Sequence, residues 1–342
     1  MKKALLSVST EKSINIGDYI QALASSQFLD NIDLFIEREK LRDYNGDDVA
    51  MIMNGWYMHH PDQWPPSPKI HPLFVAFHMN NLVDNKFLGK ESISYLKQYE
   101  PIGCRDILTV KKLERHDIKA YFSGCMTLTL GYKYHSENKD GKVYIVDPVV
   151  TFNSKIDKLK YLLLSVFRFK TINTIYQKQY SNNCTFRILN WCKSSKFFYK
   201  YNKLFDKKLL IDAEYVQHEG EFYHKYKTPE ALLKKAEDLV KVYAKASCVI
   251  TSRIHCALPC LGLETPVIYV NNDLQDNISS CRLDGLIQLF NIIHWTGNSI
   301  QTEIKYSGKY ININNFPKNK DIWNKYARNL ITCCTSFFES YK

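Results

Sequence analysis

Residues Cys248–Val270 read CVITSRIHCALPCLGLETPVIYV, and they decide the fold. Cys248–Thr251 is a short apolar, β-branched run, the spacing from about His255 to Leu263 predicts a helix, and Val267–Val270 is β-rich again. Two strands separated by a full helix cannot close a hairpin and must pair in parallel. The unit therefore predicts a buried parallel sheet. It delivers Ser252, Arg253 and His255 to the carboxyl edge, where open sheets of this kind bind their ligands.

Outward from this unit the same alternation recurs. Strands are predicted at Lys3–Ser7, Asp33–Ile36, Val49–Met53, Leu73–Phe77, Pro101–Gly103 and Lys119–Phe122, with a helix over Asp18–Leu29 spaced by Ile20, Leu23, Ala24 and Phe28. Trp64-Pro65-Pro66-Ser67-Pro68 is a stiff extended loop. A second series starts with a strand at Val143–Val146, resumes with a strand at Lys208–Ile211, and continues with a helix over Pro229–Ala244 into Cys248–Val270. The fold class read from this is α/β, with two Rossmann-like domains facing across a cleft. Their ranges are 1–140 and 141–320, followed by a C-terminal helix over 321–342.

The chain has 342 residues, 45% hydrophobic and 24% charged, and a net charge of +11. The sequence contains no run of 18 apolar residues, so no membrane-spanning helix is expected. The opening Met1-Lys2-Lys3-Ala4-Leu5-Leu6-Ser7-Val8 imitates a signal peptide but lacks its length and cleavage site, and reads as a buried strand. The charge is local. Residues 154–208 hold 13 Lys and Arg against Asp157 and Asp206, and 12 of the 46 aromatic residues, so the remainder is neutral. The ten cysteines form no Cys-x-x-Cys pair and are expected as reduced, buried thiols of a cytoplasmic protein. No His, Asp or Glu grouping has metal spacing, and the absence of Gly-x-Gly-x-x-Gly and Walker loops argues against a dinucleotide dehydrogenase and a P-loop ATPase.

Polar or small residues follow five strands of the first half: Asn15, Gly17 and Asp18; Asn54 and Trp56; His78; Arg105 and Asp106; and Ser123. Singly each is an ordinary turn or cap residue, while together they predict a binding edge. Arg253 beside a helix N-terminus suits a phosphate or carboxylate, and His255 can exchange a proton near neutral pH. The alternative is that Arg253 pairs with a core acid and His255 only caps. His218 either faces the same cleft or lies on the surface.

At these residues the chain resembles the polysaccharide pyruvyl transferase family, in particular capsule-biosynthesis members from gut bacteria. The resemblance rests on Asn15-Ile16-Gly17-Asp18-Tyr19-Ile20-Gln21, Met53-Asn54-Gly55-Trp56, Trp64-Pro65-Pro66-Ser67, Pro101-Ile102-Gly103-Cys104-Arg105-Asp106, Tyr121-Phe122-Ser123-Gly124-Cys125 and Ser252-Arg253-Ile254-His255, in that order. It implies a glycosyltransferase-B-like fold, phosphoenolpyruvate as donor, no cofactor or metal, and a pyruvyl ketal as product. Ser252, Arg253 and His255 would form the donor site, with His255 as general acid, Arg253 as anion clamp, and His218 or Asp18 as base. Asn15, Gly17, Asp18, Asn54, Trp56, His78, Arg105, Asp106 and Ser123 would face the acceptor. In relatives the acceptor is commonly a sugar on a polyprenyl diphosphate at the inner membrane face. Residues 154–208 are then expected either to meet an anionic membrane, inserting Leu159–Phe169, or to pack their aromatics on the second domain. No nucleic-acid recognition motif is present. A nucleotide-sugar-dependent transferase and a catalytically silent glycan-binding protein are the rival readings.

Overall fold

A computed structural model describes residues 1–8, 14–79, 87–181, 185–273 and 283–341. In the first half, strands β1 (Lys2–Ser7), β2 (Leu34–Glu37), β3 (Val49–Ile52) and β5 (Ile70–Leu73) form a parallel sheet of order β2-β1-β3-β5. Strands β4 (Gly55–Tyr57), β6 (Phe77–Met79), β7 (Ile102–Cys104) and β8 (Ala120–Phe122) form a second, of order β4-β6-β7-β8. These are two parts of one twisted layer. Strand β3 runs into β4 across Met53-Asn54, β5 runs into β6 across Phe74–Ala76, and Met53 N–H still donates to Leu73 O at 2.8 Å within the break. The pairing slips by one residue there, from Val49 opposite Ile70 to Gly55 opposite Phe77, and the extra residue is absorbed near Ala76, whose φ is 52°. The predicted single strand Leu73–Phe77 is this break with its two flanking strands.

The second half carries a six-stranded sheet of order β10-β9-β11-β12-β13-β14, built from β9 (Val143–Val146), β10 (Glu214–Val216), β11 (Cys248–Thr251), β12 (Val267–Asn272), β13 (Asn291–Trp295) and β14 (Ile300–Thr302). All pairs are parallel except β13 with β14. Central strands β3, β9 and β11 are buried at every residue, because helices cover both faces and no alternation is needed. Both halves wind in the same order, the second strand lying outside the first and the others following on the opposite side. Each half therefore has one switch point, between β1 and β3 and between β9 and β11.

Helices α1 (Ile16–Ser26), α2 (Lys90–Lys97), α3 (Ile107–Glu114), α4 (Gly131–Tyr134), α5 (Lys155–Phe167), α6 (Phe169–Gln179), α7 (Ile188–Tyr201), α8 (Lys207–Asp212), α9 (Pro229–Lys245), α10 (Ile254–Gly262) and α11 (Asn324–Glu339) connect and cover the strands. Helix α1 is buried around most of its circumference. Its Tyr19, Ile20 and Leu23 share one apolar cluster with Leu232, Leu239 and Val240 of α9 and with Cys256, Ala257 and Leu258 of α10. One core therefore runs through the junction of the two sheets. Gly131 and Gly262 close it on the far side, where a Cβ on either would overlap backbone of the opposite segment.

The basic segment folds as the helices α5, α6 and α7 inserted between β9 and β10. Ile172, Ile175, Tyr176, Trp191, Phe197 and Tyr201 pack on Val143, Ile145, Ile250 and Val270 of the second sheet. The strand expected at Lys208–Ile211 is instead helix α8, started by Asp206, whose side chain accepts from Lys208 N–H at 2.7 Å. The strand itself is Glu214–Val216. Helix α11 occupies the expected C-terminal span. Among the described residues no helix is long and apolar enough to cross a membrane.

Candidate active site at the facing strand ends

The carboxyl ends of the two sheets meet at the start of α1. Asn15 caps the helix, its Oδ1 accepting from Gly17 N–H at 3.0 Å, and it forms a β-bridge with Glu219 of the second half. Ile16 N–H donates to His218 O at 2.9 Å. A Cβ on Gly17 would lie 3.0 Å from His255 Cβ, a tight contact, so glycine eases the approach of α1 to the imidazole. Gln21, one turn along, completes the junction. Its Nε2 lies 3.4 Å from His255 Nδ1 and 3.3 Å from Asp18 Oδ1, and its Oε1 accepts from Arg105 Nη1 at 3.3 Å.

At the second switch point, Arg253 Nε donates to Asp147 Oδ2 at 2.7 Å and Nη2 to Glu219 Oε2 at 3.2 Å. Burial works against the guanidinium's charge, but Asp147 and then Glu219 outweigh it and hold Arg253 above its ordinary range. Ser252 Oγ donates to Asp147 O at 2.5 Å, and the Asp147 backbone is held at φ 42°. The Arg253 side chain is 35% exposed, and among the described residues Nη1 carries no bond. Helix α10 starts at Ile254 without a side-chain cap among the described residues, and His255 departs from helical geometry at φ −84°, ψ 19°. The core-acid pairing foreseen as an alternative for Arg253 is thus present, and it aims the guanidinium along the sheet edge.

His218 is neither a surface residue nor open to the cleft. It is fully buried, its backbone N–H donates to Asp147 Oδ2 at 3.0 Å, and its Nε2 lies 2.6 Å from Tyr243 Oη. Burial, then the nearby Arg253 charge, push its pKa down to about 3, so it stands neutral beneath the ion pair. That location suits holding Asp147 and Arg253 and does not suit contact with an acceptor hydroxyl.

The first switch point is a pocket. Leu6 and Val8 from the end of β1, Asp18 and Gln21 from α1, Asn54 and Trp56 after β3, and Arg38 line it. The Arg38 guanidinium lies 4.9 Å from the Trp56 ring and is fixed by Glu39, whose Oε1 accepts from Nε at 2.9 Å. Asn54 is committed to the scaffold, since Oδ1 accepts from Ser25 Oγ at 2.8 Å and Nδ2 donates to Gln21 O at 3.1 Å.

Three other expected acceptor residues lie under the edge. His78 Nδ1 is 2.5 Å from Asp106 Oδ2, and Asp106 also caps α3 through Thr109 N–H at 2.8 Å. Burial, then Arg105, depress the His78 pKa to about 4, so a neutral His78 donates to an ionised Asp106. Ser123 Oγ accepts from Ala76 N–H and donates to Cys104 O, both at 3.0 Å, so it fastens the break in the sheet. Arg105, like Asp18, is instead linked to His255 through Gln21. The residues missed by sequence reading are Gln21, Arg38, Asp147 and Glu219. Asp147 had a signal, a carboxylate directly after a predicted strand; Glu219 and Arg38 become relevant only through tertiary contact.

Compared with curated proteins and with solved structures, the chain matches none. A family model, polysaccharide pyruvyl transferase, matches residues 15–273, from the cap of α1 past the end of β12, and so covers Gly17, Gln21, Asn54, Trp56, Arg105, Asp147, Arg253 and His255 but not β1. On that match the chain belongs to the polysaccharide pyruvyl transferase family.

Proposed function

We propose that the protein transfers the enolpyruvyl group of phosphoenolpyruvate onto two hydroxyls of one sugar, forming a pyruvate ketal. The proposed acceptor is a galactose-type residue of a polyprenyl-diphosphate-linked intermediate, and the proposed role is capsule or exopolysaccharide assembly. One observation carries the reading. Gln21 bonds Arg105 of the first half and lies 3.4 Å from His255 of the second, so a cation and a proton carrier meet at the facing strand ends. Arg253 lies two residues from His255 with part of its fork open.

The chemistry asks for these groups. A proton from His255 adds to the methylene carbon of phosphoenolpyruvate, which makes the neighbouring carbon electrophilic. One sugar hydroxyl adds there and loses its proton. The C–O bond to phosphate then breaks with its electron pair leaving on phosphate, and the second hydroxyl closes the ring as its proton passes to the departing phosphate; the first hydroxyl's proton replaces, in net balance, the one given up by His255. The products are the ketal and inorganic phosphate, and no oxidant or reductant is needed. Arg253 clamps the phosphate or carboxylate. Asp18, in the pocket and 3.3 Å from Gln21 Nε2, takes the hydroxyl proton. Trp56 offers an apolar face to the C–H side of a sugar ring while Asp18 and Gln21 meet its hydroxyls.

The test is phosphate release from phosphoenolpyruvate with galactose- and mannose-type acceptors. Acceptor-dependent release is expected, falling about a hundredfold or more in His255→Ala. Release independent of acceptor, a requirement for sugar nucleotide instead, or a His255→Ala variant retaining more than about a tenth of the rate would overturn it.

A further inference from the structure

Helix α5 is turned the unusual way round. Its Tyr161 and Ser165 are buried, while Ile156, Leu159, Leu163, Val166 and Phe167, spaced along the opposite face, are 79%, 54%, 60%, 71% and 79% exposed. A surface helix ordinarily points its charges out and its apolar stripe in. The apolar surface continues past the helix end. Phe169 and Phe186 are both exposed and both pack on the ring of Trp191, at 5.3 Å and 6.0 Å, and Trp191 is anchored by its Nε1 donating to Ser165 Oγ at 2.9 Å.

The charges around this patch are of one sign. Lys155, Lys158, Lys160, Arg168, Lys170 and Arg187 are exposed, and none has an ion-pair partner among the described residues. The only acid on these helices, Asp157, is taken by the buried Lys196 at 2.5 Å, so it cancels none of them. Inside the segment, Phe197, Tyr201, Ile172 and Ile175 already fill the contact with the sheet, so the outer stripe has no role in holding the insertion to the body. A rigid, apolar strip ringed by unpaired cations has the chemistry of an interface with an anionic bilayer, which takes up the apolar side chains while its headgroups meet the lysines.

We infer that the outer face of α5, with Phe169 and Phe186, docks the protein flat on an anionic lipid surface. The inference stands apart from the donor chemistry, because it is read by binding and not by turnover. Co-sedimentation of the full chain with phosphatidylcholine vesicles, with and without about one third phosphatidylglycerol, tests it. Binding to the anionic vesicles is expected, weakened at least about tenfold by 0.5 M salt or on the neutral vesicles. Leu163→Ser/Phe167→Ser, and separately Lys160→Glu/Arg168→Glu/Lys170→Glu, should each weaken it about tenfold or more. All these positions are exposed, so an unchanged melting temperature identifies folded variants. Equal binding by wild type and both folded variants, equal binding to neutral vesicles, or a wild-type dimer that Leu163→Ser/Phe167→Ser turns into monomer would overturn the inference; the last would mean a second copy covers the stripe.

Discussion

The two switch points share one winding order and are filled in opposite ways. Between β1 and β3 the strands part to leave a pocket walled by Trp56, Asp18 and Gln21, whereas between β9 and β11 Asp147 and Arg253 close on one another at 2.7 Å. Topology decides where a ligand site lies, and the side chains at the strand ends decide its charge. An aromatic wall with a carboxylate and an amide suits a neutral, hydroxylated ring. A held guanidinium beside a helix start that carries no side-chain cap among the described residues suits an anion. Glycine at position 17 helps bring the two together, because it eases the approach of α1 to His255.

Four changes sharpen or break this contrast. The largest effect is expected at Arg253. Arg253→Ala should lower kcat/KM for phosphoenolpyruvate about a thousandfold, and Arg253→Lys should restore little, since an ammonium cannot bond Asp147, Glu219 and an anion through a planar fork. Steady-state kinetics with saturating acceptor reads it; recovery by Lys to near wild type would break the contrast.

Next comes acid sensitivity. Each half keeps a buried neutral histidine beside an arginine, His78 near Arg105 with a pKa of about 4 and His218 near Arg253 with a pKa of about 3. Both lie below the unfolded value of about 6.5, so the unfolded chain binds protons that the native chain refuses. Stability is therefore full above that value and falls as the pH drops, by up to about 1.4 kcal/mol per pH unit for each histidine. The loss due to His78 should level off near pH 4 and that due to His218 near pH 3. Urea melts across this range should show a shallower slope in His78→Gln and in His218→Gln.

A smaller loss is expected for Gly17→Ala, whose methyl group would press on His255 Cβ at 3.0 Å. We expect kcat to fall about ten- to thirtyfold with folding retained, as for a misplaced catalytic group. Smallest is Trp56→Ala, which should raise the acceptor KM about five- to tenfold and leave the phosphoenolpyruvate KM unchanged.

Much of this contrast was legible in the sequence on one side and hidden on the other. The run Cys248–Val270 announces strand, helix and strand because Cys248–Thr251, Cys256–Gly262 and Val267–Val270 are each buried and almost continuously apolar, as a central parallel unit requires. Lys208–Ile211 misled, because two leucines and an isoleucine satisfy either state, and Asp206 capping a short helix decided it. Strand β13 and the edge strand β14 passed unnoticed since each is short and only partly buried, so neither carries a full apolar run. At the site, Arg253 and His255 were visible at a strand end, while Gln21 looked like one more helical residue until α1 was placed between the sheets. His78 lies inside β6 instead of after a strand, and His78, Asp106 and Ser123 are all buried, with side chains bonded to one another or to the backbone.

Titrating phosphoenolpyruvate into wild type, Arg253→Gln and Trp56→Ala by calorimetry tests the division of labour most directly. The account predicts that Trp56→Ala binds phosphoenolpyruvate as wild type does, within about twofold, while Arg253→Gln binds it at least about a hundredfold more weakly. Equal loss in both variants, or undiminished binding by Arg253→Gln, would contradict it.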